Sequence, residues 1–161
     1  MFEALCFLFI FNDSLAEKSM IDLDLRLQKY LEDYIEFWDK LNTRSLPLLS
    51  ELSAHNISFC DLYHNVSGVD DVSRVLAYRQ KIFNGGRYHV YDFMWGRCET
   101  TAYMHWSFTY RPKKRFLGKE PDDVVIGGMS KLIFLPDGKL LSQEDFFAAH
   151  DVEEMAAYKK L

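Results

Sequence analysis

Apolar side chains recur along this chain with two different periods, and the switch between them lays out its architecture. From Asp22 to Leu41 the residues Leu27, Tyr30, Leu31, Tyr34, Trp38 and Leu41 recur at three- and four-residue steps, with Arg26, Lys29, Glu32, Asp33, Glu36, Asp39 and Lys40 on the remaining arc. That spacing predicts an amphipathic helix whose inner stripe carries Tyr34 and Trp38 one turn apart. Asn42 to Ser45 breaks it, and Ser45 followed by Pro47 starts a short second helix that buries Leu46, Leu49 and Leu52. Val69 to Phe83 predicts a third, with Val72, Val75, Leu76, Tyr78, Arg79, Ile82 and Phe83 on and around its inner face. Asp70 and Asp71 in its first turn suit the helix dipole, and Asn84-Gly85-Gly86 ends it.

After Gly86 the period falls to two. Arg87 to Arg97 and Thr100 to Tyr110 are aromatic-rich, β-prone runs that predict a long hairpin about Cys98-Glu99. In the second run Ala102, Met104, Trp106 and Phe108 share the inner face, against Tyr103, His105, Ser107 and Thr109 outside. A polar connection, Arg111 to Asp123, leads to a strand over Val124–Leu135, a turn at Pro136-Asp137-Gly138 and a last strand over Lys139–Phe147. Ala148 to Leu161 predicts a short terminal helix. Helices first and strands in series predict an α+β domain, with the helices packed on one face of a curved antiparallel sheet.

Between the second and third helices lies the stretch with the most chemistry, Ile57 to Gly68. Ile57, Phe59 and Asp61 alternate onto one face, so a strand that buries the first two also turns Asp61 inward. A carboxylate there is costly unless it is paired, hydrated or partly protonated. On the residues alone the plainer role for Asp61 leads: it ends the strand and caps a loop by bonding nearby backbone amides. Gly68 permits the tight turn that follows.

At 161 residues and 48% apolar, the chain can bury one core. Residues 20–161 are expected to form a single domain, preceded by an apolar N-terminal extension over 1–19 that is dispensable to the fold. Met1 to Phe11 lacks the basic flank and cleavage site of a signal peptide and is far short of the roughly 20 residues of a membrane span, so no stable membrane insertion is expected. An aromatic content of 16% suggests a broad apolar sheet face or a ring-lined cavity. The net charge of −5 argues against a nucleic-acid partner, and Lys113, Lys114 and Arg115 read as a solvated loop. Cys6, Cys60 and Cys98, odd in number and widely spaced, read as free thiols in a reducing, cytoplasmic compartment. The five histidines contain no i,i+4 pair and no H-x-H, so no metal site is expected.

The order helix–helix–strand–helix–four strands, with ISFCDLYHNVSG in the middle and VVIGGMSKLIFLPDGKLLSQEDFF near the end, resembles the nuclear transport factor two-like superfamily. Within it the resemblance is to the SnoaL-like polyketide-cyclase and ketosteroid-isomerase-like branch. It rests on Asp61, His64, Val66 and Gly68, then Gly128, Ser130, Gly138, Lys139, Asp145, Phe146 and Phe147, and spans about residues 24–150. The chain departs from the pattern at Leu62, where relatives have proline, and in its N-terminal segment.

What the resemblance implies is a cone: a sheet wrapped around the first helix, with an apolar pocket between them. Tyr34 would sit where ketosteroid isomerases carry the tyrosine that donates to the developing enolate oxygen. Asp61 would match their general base and Asp145 the acid/base aspartate of the polyketide cyclases. Ser130 stands where the isomerases have a second, carboxylic-acid oxyanion donor, which speaks against steroid isomerisation. Trp38, Phe59, His64, Trp106, Ser130 and Phe147 are the expected ligand contacts. Alternation on the last strand puts Leu141, Gln143, Asp145 and Phe147 on one face, so Asp145 could share a cavity with Asp61.

Two classes of function follow. One is a cofactor-independent isomerase, cyclase or dehydratase (an isomerase or lyase by reaction type) using an aspartate base on a small apolar carbonyl compound. The other is a non-catalytic module that binds a hydrophobic ligand or a protein partner. For either, the outer sheet face with Tyr91, Tyr103, His105 and Ser107 is the expected homodimer interface.

Overall fold

The computed structural model describes residues 25–98, 100–112 and 122–148. The N-terminal extension, the domain start at residue 20, Cys6, the basic run Lys113–Arg115 and the terminal helix expected beyond Ala148 lie outside them.

Helix α1 covers residues 25–39 and buries Leu27, Leu31, Tyr34, Phe37, Trp38 and Leu41 at or just beyond its end. A 3-10 turn over Leu46–Leu48 with Pro47 in its first positions leads into the one-turn helix α2, Leu49–Leu52. Strand β1 runs Ser53–Cys60 and the short β2 Asn65–Ser67. Helix α3 spans Val69–Ile82, with Asp70 and Asp71 in its first turn. Strands β3 (Arg87–Trp95), β4 (Thr101–Tyr110), β5 (Val124–Phe134) and β6 (Leu140–Phe147) follow.

All six strands form one curved, unclosed sheet in the order β2-β1-β6-β5-β4-β3. Every neighbouring pair is antiparallel except β1 and β6, which run parallel and make the sheet mixed. The sequence does not announce β2, because Asn65-Val66-Ser67 is too short to show alternation; it turns back on β1 through pairs such as Phe59 with Val66. The turn into α3 depends on Gly68, whose φ of 94° is left-handed and whose N–H bonds Ile57 O at 2.8 Å.

The core lies between the inner sheet face and the helices, and rings fill it. Trp38 packs edge-on to Tyr88 at 4.6 Å between centroids, Tyr88 on Trp106 at 5.5 Å, and Trp106 on Phe147 at 5.4 Å. On β4 the expected alternation holds: Ala102, Met104, Trp106 and Phe108 are buried.

Helix α1 runs alongside the edge strand β3. Asp39 Oδ1 accepts the outward Val90 N–H at 2.9 Å, and Gln28 Oε1 accepts Trp95 Nε1–H at 3.1 Å. A bulge between Val90 and Asp92 interrupts the β3–β4 ladder at Tyr91. At the other end of the sheet Tyr30 of α1 lies on Gly138 in the β5–β6 turn, where φ is 87° and a Cβ would meet Tyr30 Cδ2 at 1.8 Å.

Candidate functional site

Asp61 follows the last residue of β1, and its two oxygens have different tasks. Oδ1 accepts the backbone N–H of Tyr63 at 2.8 Å and of His64 at 2.7 Å, while Asp61 N–H returns to His64 O at 2.9 Å. This is the loop cap that a short polar side chain makes after a strand. His64 Nδ1 is 3.0 Å from the same oxygen; an ionised carboxylate only accepts, so Nδ1 carries the proton. Oδ2 turns inward and accepts Arg79 Nη2–H at 2.9 Å.

Arg79 is the residue that sequence reasoning passed over as a candidate. It is fully buried, with its guanidinium carbon 5.7 Å from the ring centres of both Phe59 and Tyr88. It also donates to Tyr88 Oη and lies 3.7 Å from Asp145 Oδ2. The signal for it was present: Val72, Val75, Leu76, Arg79 and Phe83 form one stripe at helical spacing, which places a cation on the inner face opposite an inward aspartate.

On the far side of Arg79, Asp145 is held by the sheet. The β5–β6 register sets Ser130 directly across from Asp145, and Ser130 Oγ–H donates to Asp145 Oδ1 at 2.7 Å. Gln143, two residues earlier on the same face, donates through Nε2 to the same oxygen at 2.6 Å. Trp106 Nε1–H donates to Ser130 Oγ at 2.8 Å, and Tyr34 Oη–H donates to Gln143 Oε1. One chain of contacts thus runs Tyr34–Gln143–Asp145–Arg79–Asp61–His64, from helix α1 through the core to the β1–β2 loop.

The electrostatics separate the two carboxyls. Burial pushes Asp61 up, but the Arg79 guanidinium, the Tyr63 and His64 backbone N–H groups and the His64 ring outweigh it, leaving it below the ordinary carboxylate value. For Asp145 burial prevails over Arg79, Gln143 and Ser130, and its pKa is raised. Burial likewise raises the Tyr34 and Tyr88 phenols. The Trp38 indole lies edge-on to Tyr34, near enough to lower the phenol somewhat, yet its N–H meets no acceptor in hydrogen-bond geometry.

Of the residues singled out from sequence, Asp61, His64, Ser130, Trp106 and Asp145 therefore converge in one network. Tyr34 joins it through Gln143 and not by facing a carboxylate directly. Phe59, Trp38 and Phe147 are ring walls around it. Around the place where an apolar pocket was expected, Tyr34, Trp38, Phe59, Arg79, Trp106, Ser130 and Gln143 are each at most 2% exposed. Two hollows that the described residues line are elsewhere. One of about 430 Å³ lies at the α3–β3 turn, and one of about 220 Å³ lies between α1 and α2.

Among the described residues no three His, Cys, Asp or Glu side chains gather as a metal-ligand set, and no helix is long and apolar enough to cross a membrane. Cys60 and Cys98 carry thiols, and burial raises that of Cys60.

The sequence matches no protein-family model and no curated protein. Solved structures do match. A SnoaL-like protein from Jannaschia sp. CCS1, provisionally assigned as a polyketide cyclase, superposes with a TM-score of 0.64 at 14% identity, over 83% of this chain and 94% of that one. A nuclear transport factor two-like protein of unknown function from Exiguobacterium sp. 255-15 gives 0.61 at 12% identity, over 74% and 98%. A protein of ketosteroid isomerase-like fold from Catenulispora acidiphila gives 0.59 at 11% identity, over 74% and 85%. Identities this low speak for the backbone and not for the chemistry. The chain has the nuclear transport factor two-like fold, in the form shared by SnoaL-like and ketosteroid-isomerase-like proteins.

Proposed function

We propose that this chain is a non-catalytic binding module of its fold, acting as a homodimer through the outer sheet face. The observation that carries the reading is the Arg79–Asp61 pair. A general base has to face its substrate, and here both oxygens of the would-be base are taken, with neither side chain of the pair exposed. A carboxyl whose pKa is lowered is also a poorer base near neutral pH than one raised by burial alone.

The outer face offers what the interior does not. Met94 on β3, Val125 and Met129 on β5 and Phe146 on β6 are all between 44% and 60% exposed, and Tyr91 joins them from the bulge. The register lines up His105, Met129 and Phe146 as one row across three strands. Tyr91 Oη donates to Ser107 Oγ at 2.9 Å and its ring lies 5.4 Å from His105, which orders the aromatic end of the patch. Contiguous exposed apolar surface of this kind marks association.

One observation favours the second reading, an isomerase, cyclase or dehydratase acting on a small apolar carbonyl compound. Asp145 with its raised pKa, beside an ionised Asp61, is the divergent pair that acid/base catalysis uses. That chemistry needs the interior to open. Titration with 2-cyclohexenone, followed at the indole N–H signals of Trp38 and Trp106, separates the two readings. Unmoved indoles in a protein of dimer mass are expected; saturable shifts at both indoles together with protein-catalysed exchange of the ketone's α-protons into deuterated water, lost in Asp145→Asn, would overturn the module reading.

A further inference from the structure

The outer face that the homodimer reading assigns to a second copy also carries two imidazoles among its apolar residues. On β3 the buried Tyr88 separates Arg87 from His89, so His89 points outward together with His105 of β4. Tyr91 lies between them: its ring is 4.7 Å from that of His89, edge-on, and 5.4 Å from that of His105. The register surrounds the pair. His89 shares a row with Ser107 and Gly127, which Val125 and Met129 flank along β5. His105 shares the next row with Met129 and Phe146, and Met94 lies opposite Tyr103 one row further.

Both imidazoles are exposed in the single chain, and among the described residues neither lies at ion-pair distance from a carboxylate. Asp92 stands opposite His105 on β3, exposed, with Oδ1 accepting the Phe93 N–H. Arg87 precedes His89 by two residues on the same face, and the phenols of Tyr91 and Tyr103 are the other titratable groups beside the pair. Lys131 and Glu144, opposite each other on β5 and β6, lie one row beyond Met129 and Phe146. A neutral imidazole is a weakly polar ring that an apolar partner surface can cover. An imidazolium with no acid beside it loses hydration that nothing in such an interface replaces. Twofold symmetry doubles the effect by bringing both copies' imidazoles to one contact.

We propose that the outer-face dimer is a pH switch, closed while His89 and His105 are neutral and released in mild acid when both carry protons. The switch rests on the homodimer reading and adds its regulation. Imidazole is the side chain that ordinarily changes charge between about pH 5 and 8. Covering the rings favours their neutral form, so the dimer binds fewer protons than two separate chains, and association weakens as pH falls. The interior pair does not share in this step: Asp61 titrates below the ordinary carboxylate value, so it stays ionised against Arg79 in mild acid.

The test is sedimentation velocity of the full chain over a concentration series at about pH 7.5 and about pH 5.5. The dimer Kd is expected to rise roughly tenfold or more at the lower pH, because each imidazole that must shed its proton to be covered weakens association by up to about tenfold per pH unit. In His89→Gln/His105→Gln the ratio of the two constants is expected to fall to about one, whatever the constant at the higher pH. A wild-type dimer equally tight at both pH values overturns the switch and leaves the homodimer reading standing. A wild-type monomer at both overturns that reading and the switch with it. A double variant that keeps the wild-type ratio overturns the assignment to these two residues. Ring-proton NMR titration of the wild type needs no variant: His89 and His105 are expected to titrate at lower pH in concentrated than in dilute protein, and titrations that ignore concentration overturn the switch.

Discussion

Arg79 Nη2 lies 2.9 Å from Asp61 Oδ2, and neither side chain reaches solvent. The pair joins helix α3 to the end of β1, and with Asp145 3.7 Å from the same nitrogen it joins both to β6. Two acids that sequence reasoning assigned to chemistry are thereby tied first to a cation and to each other's strands.

Removing one partner of a buried ion pair leaves the other charge stranded. Asp61→Asn is therefore expected to cost about 3–5 kcal/mol in urea unfolding, and Arg79→Met in the same chain to restore part of it. Asp145→Asn keeps an acceptor for Ser130 and Gln143 and removes a strained ionisation, so it should change stability by less than about 1 kcal/mol or raise it. Equal losses in the two single variants would show that the acids are equivalent, contrary to the geometry.

The same asymmetry has opposite signs in pH. Asp61 titrates lower when folded than when unfolded, so its contribution is present above the ordinary carboxylate value and is lost as pH falls through the folded one. Asp145 titrates higher when folded, so its contribution is greatest in acid and declines as pH rises from the ordinary value through the raised one. Unfolding midpoints measured across the acid range should show that decline in the wild type and not in Asp145→Asn. Parallel profiles for the two proteins would dispose of the assignment.

Sedimentation velocity tests the outer face. The wild-type chain is expected to sediment as a dimer and Met129→Glu as a monomer, because the substitution sets a charge in the middle of the His105–Met129–Phe146 row. A monomeric wild type at high concentration removes the basis for that interface.

Gly138→Ala probes how the β5–β6 turn is fixed. The left-handed φ and the overlap with the Tyr30 ring together predict a loss of about 2–4 kcal/mol. Tyr30→Ala should recover the steric share and leave the backbone share in place. A Gly138→Ala protein as stable as wild type would mean that Tyr30 swings away freely.

Much of the fold was legible because it rests on local periodicity. The helical stripe from Leu27 to Leu41, the inward set Ala102, Met104, Trp106 and Phe108, and the turn at Gly138 can each be read within a few residues. Asp61 was legible as an inward acid by alternation with Ile57 and Phe59, and it is also the loop cap of the plainer reading. What alternation could not give is which elements meet. The parallel β1–β6 pairing sets Phe59 beside Gln143, and no local pattern encodes a contact between residues so distant in sequence. Arg79 was missed for a related reason: a cation on a helix's apolar stripe has no meaning until the acids facing it are placed.

The α1 flank along β3 bears on what the chain does at high concentration. With the Val90 amide already engaged by Asp39 and Tyr91 bulged out, another molecule's strand finds the β3 ladder interrupted at its middle. The opposite margin, β2, is three residues long. Strand addition is thus disfavoured at both margins, and crowding is expected to yield closed pairs and not threads.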